Sequence, residues 1–248
     1  MVGAKKAIVA GATGSVGRLI VQTCLKDSRI AQVTAVVRKP VDDDKAQELW
    51  GTSHSSKLKQ VPVDFATLNM DDTKVLNAFE GNDAFLTGMG VYSSNSSEAE
   101  MTKVEVDSNK MLASLAHQGG AKRGAYLSGQ GVKQPKDGRA LAMFARVKGR
   151  AEEELAQIFD SHVSVRPGGI FDRPGPPVYG AVVEGLLHSW PLKNLKNTQF
   201  GISAHDIAKG MVQGALFDDD KVVAGNTVWE NNTIREAARR YEQQQQEV

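Results

Sequence analysis

The sequence predicts an α/β protein, a single domain built on a doubly wound parallel sheet. Short apolar runs alternate with helical patterns six times between residues 7 and 166, which is typical of strands and crossover helices. The first apolar run leads directly into a glycine-rich turn and a helix. With 248 residues, 41% of them hydrophobic, the chain can bury one large core without a second domain.

The overall charge restricts the class of partner. The formal net charge is +1 and no dense basic run is present, so neither a nucleic-acid surface nor a membrane-binding patch is indicated. No apolar stretch approaches the roughly 20 residues that a membrane-spanning helix needs. We therefore expect a small-molecule partner.

The single cysteine and the start of the chain indicate the cellular compartment of the protein. Cys24 lies on the apolar side of the first helical pattern and is expected to be a packed thiol, which fits a reducing environment. The first strand begins within a few residues of Met1 and leaves no room for a targeting segment. We expect a cytoplasmic protein, and an association with mitochondria stays open.

The first strand and the turn after it carry the main functional signal. Residues 7–10 form a short apolar run, which predicts a buried parallel strand. The sequence GATGSVG follows, with Gly11, Gly14 and Gly17, and then a helical pattern begins. Glycines let the backbone approach an anion, and the helix start offers free N–H groups and its positive dipole end. This order predicts a binding site for a dinucleotide pyrophosphate.

The second strand, residues 32–37, ends at Arg38. In a dinucleotide fold this strand end faces the adenosine ribose, where an arginine accommodates the 2′-phosphate of NADP. The alternative is a solvated arginine at a strand end. Residues 41–56 are predicted to form a helix and a surface loop without assigned chemistry.

The third strand, residues 58–63, is followed by Asp64. Its carboxylate is placed to hydrogen-bond the adenine edge, and an ordinary turn residue is the competing interpretation. After a helix over residues 71–79, the fourth strand, residues 82–87, ends in Gly88-Met89-Gly90. These glycines let the backbone pass close to the ribose and nicotinamide side of the cofactor.

The remaining elements continue the alternation. A long helix is predicted over residues 98–118, with Val104, Met111 and Leu115 at helical spacing and a stop at Gly119-Gly120. Its methionines are expected to lie in the core rather than to contact a ligand. Strands over residues 123–128 and 162–166 then flank a helix over residues 139–159. Residues 172–177 carry three prolines and cannot continue a helix. We expect about 172–248 to form a small substrate-side region and tail rather than more sheet.

Six stretches together resemble a known superfamily. They are GATGSVG (11–17), VVRKP (36–40), VDF (63–65), YLSGQG (126–131), FARVKGRAEEEL (144–155) and VRPGGIFDRPG (165–175). The chain resembles the atypical short-chain dehydrogenases/reductases, and most closely the family of Tat-interacting oxidoreductase-like proteins. The resemblance runs from Ile8 to about His205 and implies a Rossmann-type fold with NADP(H) as cofactor.

The resemblance also implies a role for each matching residue. Arg38 would bind the 2′-phosphate, Asp64 and Phe65 the adenine, and Gly88 and Met89 the ribose. The residues that would hold the pyrophosphate are Gly11, Thr13, Gly14, Ser15, Val16 and Gly17. The residues that would border the nicotinamide are Pro167, Gly168, Gly169 and Ile170.

The chain departs from these enzymes at the catalytic acid. They carry a tyrosine four residues before the active-site lysine, so that both side chains share a helix face. Here that position is Phe144, which has no proton to give, and losing a general acid costs about 10²- to 10⁴-fold in rate. Ser128, to polarise a carbonyl, and Lys148, to bind the ribose, remain as catalytic candidates. Tyr92 is an alternative donor, with an ordinary loop residue as the competing interpretation.

Two functions stay open on the sequence alone. The first is an NADP(H)-binding protein with weak or no turnover, acting as a redox sensor or as a subunit of a larger assembly. The second is an active NADPH-dependent oxidoreductase that reduces a small carbonyl or quinone. The five histidines lack metal-ligand spacing, and Ser128 is not in a GxSxG elbow, which disfavours metal-dependent and hydrolase chemistry.

Overall fold

The computed structural model describes residues 4–52, 55–68, 70–71, 73–91, 96–132, 143–174, 201–223 and 225–247. Within these ranges the main sheet has seven parallel strands. They are β1 (Lys5–Ala10), β2 (Ile30–Val37), β3 (Leu58–Pro62), β4 (Ala84–Thr87), β5 (Arg123–Leu127), β6 (Ser161–Arg166) and β9 (Gly225–Glu230). Two short strands, β7 (Gly169–Phe171) and β8 (Gly201–Ser203), form a separate parallel pair.

Helices connect and cover the strands. The described helices are α1 (Gly17–Lys26), α2 (Asp43–Trp50), α3 (Thr73–Phe79), α4 (Glu98–Thr102), α5 (Asn109–Gln118), α6 (Met143–Ala156), α7 (Ala204–Val212), α8 (Asp220–Val223) and α9 (Asn231–Gln246). Two π-helical segments, Lys103–Ser108 and Gln213–Phe217, continue α4 and α7. Among the helices described, none is both long and apolar enough to cross a membrane.

The spatial order of the main sheet is β3-β2-β1-β4-β5-β6-β9. The predicted Rossmann-type, doubly wound parallel sheet is therefore confirmed, and the ends of the six predicted strands differ from the observed ends by no more than two residues. The strand order reverses between β1 and β4, and such a switch point opens a crevice at the carboxyl ends of the strands.

Both faces of the sheet are covered, which explains the continuous apolar runs of its central strands. From β1, Ala7 and Val9 face α1, α7 and α9, while Ile8 and Ala10 face α5 and α6. Cys24 is fully buried on the first of these faces, and burial raises the pKa of its thiol. The prediction of a packed cysteine is confirmed.

The expectation that the C-terminal region adds no strand to the sheet is wrong. Strand β9 pairs in parallel with β6 along its whole length, from Ser161 opposite Gly225 to Arg166 opposite Glu230. It lies at the sheet edge, and Trp229 is its one buried side chain. An edge strand of this kind carries neither an apolar run nor regular alternation, so its sequence gives little periodic signal.

The helix predicted over residues 98–118 is continuous but changes its pitch. Ser97 caps its start with a reciprocal bond pair to Glu100, and it ends at Gln118 as predicted. The π-helical segment in its middle widens the turn and rotates the buried face. As a result Val104 and Met111 are only half-buried, whereas Glu105 is 1% exposed. Of the three residues at helical spacing only Leu115 is fully buried, and of the two methionines predicted to lie in the core only Met101 is.

Candidate functional site

The glycine turn after β1 packs against the end of β4 with no room for side chains. Gly11 has φ +71°, in the left-handed region, and a Cβ there would lie 2.8 Å from the Met89 Cα. The Gly14 N–H donates to the Gly11 carbonyl oxygen over 2.8 Å. A Cβ at Gly17 would lie 2.0 Å from that same oxygen. The turn is therefore defined by backbone contacts that only glycine permits.

The start of α1 remains available to an anion. Its N-cap residue, Val16, makes no side-chain cap, and the first turn contains no acidic side chain. The Arg18 N–H is used by the Gly14 carbonyl oxygen, but no acidic side chain of this turn opposes the positive end of the helix dipole. Trp50 supports the turn from α2, because its buried indole N–H donates to the Ala12 carbonyl oxygen over 2.9 Å.

Polar contacts hold the end of β4 in place. The Thr87 hydroxyl donates to the Asn109 amide oxygen over 2.6 Å and accepts from the Met89 N–H at 3.2 Å. The Asn109 side chain also donates to the Met89 carbonyl oxygen. Gly88 lies against Gly17, because a Cβ at Gly88 would be 3.3 Å from the Gly17 nitrogen.

A cavity of about 240 Å³ joins the glycine turn to the ends of β4 and β5, to α6 and to β7. It brings together eight of the predicted site residues: Gly14, Ser15, Val16, Gly88, Met89, Ser128, Lys148 and Ile170. Its other described lining residues are Gly90, Val91, Glu105, Leu127 and Arg173. We call this space the switch-point cavity.

Ser128 supplies an unused polar group to the switch-point cavity. Its backbone N–H pairs with the Val165 carbonyl oxygen, whereas its buried hydroxyl has no hydrogen-bond partner among the described residues. A buried hydroxyl without a partner is costly. The geometry thus suits a bound molecule that offers an oxygen acceptor at this point.

Lys148 is committed to a buried polar network. Its ammonium donates to Glu105 Oε2 at 2.9 Å, to the Tyr126 hydroxyl at 3.2 Å and to the Leu127 carbonyl oxygen at 3.1 Å. The Tyr126 hydroxyl donates to the same Glu105 oxygen at 2.8 Å. Because an ammonium has three N–H donors, all of them are used within the protein.

The phenol of Tyr126 stays protonated in this network. Burial raises its pKa well above the usual value, and the Glu105 carboxylate raises it further. Glu105 also accepts from the Val91 N–H at 3.3 Å. We call Glu105, Tyr126 and Lys148 the buried triad.

Phe144 lies one helical turn before Lys148, as the four-residue spacing predicts. The centroid of its ring is 5.8 Å from the Lys148 ammonium. The tip of the ring lies over Gly129, where a Cβ would be 2.5 Å from Phe144 Cζ. The Phe144 ring is therefore beside the end of β5, next to Ser128.

Two of the three residues predicted to bind the adenosine half, Arg38 and Asp64, line a second cavity, of about 520 Å³, beside β3 and α3. Arg38 is exposed there and Asp64 lies on the same wall. Asp64 Oδ1 accepts from the Ala66 N–H at 2.9 Å, the geometry of an Asx turn. Phe65 is half-buried and packs at the edge of the core.

Of the four residues predicted to border the nicotinamide, Ile170 lines the switch-point cavity. The other three shape the backbone around it. The Pro167 carbonyl oxygen accepts from the Gln130 N–H, the Gly168 N–H donates to Asn231 Oδ1, and Gly169 begins β7. Tyr92, the alternative acid, lies outside the described residues.

Sequence reasoning missed Glu105, Tyr126 and Arg173, all close to the switch-point cavity. A signal existed for Glu105, since it lies four residues after the buried Met101 and thus continues an apolar face. Tyr126 lies within the fifth strand, where an aromatic residue is ordinary. No pattern distinguished Arg173.

Two further features do not compete with this site. A cavity of about 970 Å³ lies at the amino ends of the strands, where Lys5, Asp83 and Arg123 line it. Ligands of doubly wound sheets bind at the other end, beyond the carboxyl ends of the strands. In the described part of the chain, no group of three or more histidine, cysteine or acidic side chains is placed to hold a metal ion.

A glycine cradle at the switch point of a doubly wound sheet defines a dinucleotide-binding protein of the oxidoreductase type. Comparison with known families gives the same result, because the model of the NAD(P)H-binding family matches residues 11–219. The chain belongs to this family. Its cofactor is a nicotinamide dinucleotide, and the glycine turn, the free start of α1 and the unpaired Ser128 hydroxyl fit such a molecule.

Individual relatives agree with this assignment. Protein HTATIP2 of Rattus norvegicus is 24% identical over 192 residues, covering 75% of this chain and 73% of the relative. The predicted relation to short-chain dehydrogenases/reductases of the Tat-interacting oxidoreductase-like type is confirmed by this match.

Solved structures share the fold. A short-chain type dehydrogenase/reductase from Mycobacterium ulcerans has a TM-score of 0.64 at 16% identity, covering 94% of this chain and 90% of that one. UDP-glucuronic acid 4-epimerase from Bacillus cereus, solved with NAD, has a TM-score of 0.63 at 16% identity, covering 91% and 76%. At such identities the likeness concerns the fold alone.

Proposed function

We propose that this protein binds NADP(H) in the cytoplasm with weak or no turnover, acting as a redox sensor or as a subunit of a larger assembly. The observation that carries the proposal concerns proton donation by the two site residues of α6, Phe144 and Lys148. Phe144 occupies the position of the usual acid, and the three donors of Lys148 are used by Glu105, Tyr126 and Leu127. Neither residue is prepared to deliver a proton to a substrate.

The protein still has the residues that would bind the cofactor of a reductase. When bound, the reduced cofactor supplies a hydride for a carbonyl carbon. The glycine turn and the start of α1 would hold its pyrophosphate, and Arg38 its 2′-phosphate. The Ser128 hydroxyl would donate a hydrogen bond to the carbonyl oxygen and polarise it. Lys148 would reach a ribose only by giving up a bond within the buried triad.

The alternative is an active NADPH-dependent oxidoreductase for a small carbonyl or quinone. One observation favours it: the buried Ser128 hydroxyl is unpaired in a cavity with apolar walls from Leu127 and Ile170. A substrate oxygen would satisfy that hydroxyl. Turnover would then depend on a proton donor other than residue 144.

The choice of cofactor tests the binding part of the proposal. We expect NADPH to bind more tightly than NADH, because Arg38 can make charge-assisted hydrogen bonds to the 2′-phosphate. Such bonds contribute about 1.5–3 kcal/mol, or roughly 10-fold or more in affinity. Fluorescence titrations of both cofactors should show this preference in the wild type and its loss in Arg38→Ala.

The exposed neighbour Lys39 provides the matched control. Lys39→Ala should keep most of the preference, since an ammonium makes a single point contact where the guanidinium makes two. Equal affinities of the wild type for NADPH and NADH, or unchanged NADPH binding in Arg38→Ala, would contradict the assignment of Arg38.

A further inference from the structure

Arg173 brings to the switch-point cavity a positive charge to which the predicted cofactor site assigns no role. It follows β7 and lines the same cavity as Ser128 and Lys148. Its Nε is buried without a hydrogen-bond partner, and its guanidinium forms no ion pair with any residue that the structure describes. Removing part of a guanidinium from water without a partner costs free energy. The arrangement thus fits an anion that binds from outside the protein.

The other charges on the described wall of the cavity cancel. Glu105 and Lys148 form an ion pair at 2.9 Å, so Arg173 gives the wall its net positive charge. Val91, Leu127 and Ile170 add apolar surface. A positive group beside apolar walls suits a small organic acid better than a fully hydrated inorganic anion.

The backbone that carries Arg173 is anchored. Phe171 pairs with Ser203 across β7 and β8, and the Ser203 hydroxyl donates to Asp172 Oδ2 over 3.0 Å. Asp172 itself has φ +57°, in the left-handed region. Holding a neighbouring side chain in this way lowers the entropic cost of binding a ligand.

We propose that Arg173 binds the carboxylate of a small organic acid in the switch-point cavity, with the unpaired Ser128 hydroxyl available to a second oxygen of the same ligand. The planar guanidinium matches a carboxylate through two parallel hydrogen bonds. This inference rests on the proposed function, since the cavity would also receive the nicotinamide end of the cofactor. The ligand would be the substrate of a reductase or the signal of a sensor.

Two probes of matched size test the proposal. Benzoate and benzamide differ in charge but not in shape, and each is titrated by calorimetry into the protein with and without NADPH. We expect Arg173→Met to weaken benzoate binding roughly 10-fold or more, while benzamide and NADPH binding stay unchanged. Arg150→Met, which removes an exposed arginine on α6, should leave all three affinities unchanged.

The same titrations separate the competing outcomes. A loss of NADPH affinity in Arg173→Met with benzoate unaffected would assign the guanidinium to the cofactor pyrophosphate and overturn the proposal. Equal binding of benzoate and benzamide by the wild type, or no benzoate binding at all, would also overturn it. Failure of the wild type to bind NADPH contradicts the proposed function, whereas the benzoate titration without NADPH still reports on Arg173.

Discussion

The two ends of the switch-point cavity are built in opposite ways. At the phosphate end, Gly11, Gly14 and Gly17 form a turn shaped by close backbone contacts, both within the turn and against Met89. At the α6 end, the surface depends on the buried triad, whose lysine and glutamate are 43 positions apart. The first end requires the absence of side chains, and the second requires charged side chains buried together.

This difference separates binding from chemistry. The phosphate end suits an anion, because the start of α1 carries no side-chain cap and no acidic side chain, and its glycines leave space for a phosphate. At the α6 end the hydrogen-bonding capacity of Lys148 is used within the protein, because each of its N–H groups already has an acceptor. The contrast is what favours cofactor binding over efficient turnover, and substitutions at either end can test it.

The largest effect is expected at the phosphate end, from Gly17→Ala. The added Cβ would lie 2.0 Å from the Gly11 carbonyl oxygen, a backbone atom that can move only with the whole turn. We expect destabilisation above about 3 kcal/mol and loss of measurable NADPH binding. Thermal unfolding and NADPH titration measure the two effects.

Gly14→Ala is the graded control for this substitution, because its Cβ would lie 3.1 Å from the same oxygen. It should fold normally and lose less NADPH affinity than Gly17→Ala does. A Gly17→Ala protein with wild-type stability and affinity would contradict the description of the turn.

The next effect is expected at the α6 end, from Glu105→Gln. Removing the carboxylate leaves the Lys148 ammonium buried without its counter-charge, which costs about 3 kcal/mol. Urea unfolding should show this loss, and the double variant Glu105→Gln with Lys148→Met should recover part of it. Glu154→Gln, which breaks the more exposed pair with Lys110, should cost less than about 1 kcal/mol.

Equal costs of Glu105→Gln and Glu154→Gln would show that the buried triad contributes no more than a surface ion pair. In that case Lys148 would be free to exchange its partners for a ribose. The contrast between the two ends of the cavity would then be smaller than the contacts indicate.

The smallest of the three effects, and the most specific, is expected from Phe144→Tyr. The new hydroxyl would stand at the ring tip beside Ser128 and near the Lys148 ammonium. If the missing acid is the only defect, reduction of a generic aldehyde or quinone should become about 10²-fold faster, which is roughly 2.7 kcal/mol of barrier. The rate of NADPH consumption measures it, with Phe144→Leu as the control without a hydroxyl.

Two results would change the conclusion drawn from comparing the phosphate end with the α6 end. Fast turnover by the wild type would show that another donor has replaced the tyrosine, with Tyr92 the first residue to substitute, and would favour the active oxidoreductase. No gain in Phe144→Tyr would mean that the committed Lys148 or the cavity itself limits the reaction, which supports a sensor or an assembly subunit.

The sequence by itself determined the succession of strands up to β6, the glycine turn and the positions from which site residues approach the crevice. These features depend on short-range rules: apolar runs, a glycine between strand and helix, and the shared edge of parallel strands. The four-residue spacing likewise places Phe144 and Lys148 on one helix face, because 3.6 residues complete a helical turn.

Only the tertiary structure decided what those residues touch. The commitment of Lys148, the partners of Glu105 and the strand β9 arise from packing between distant elements, which no local pattern encodes. The position of the Arg173 charge was likewise decided by the tertiary structure, because it depends on how β7 packs beside β5 and α6. Backbone geometry follows from neighbours along the chain, whereas the balance of buried charges follows from neighbours in space.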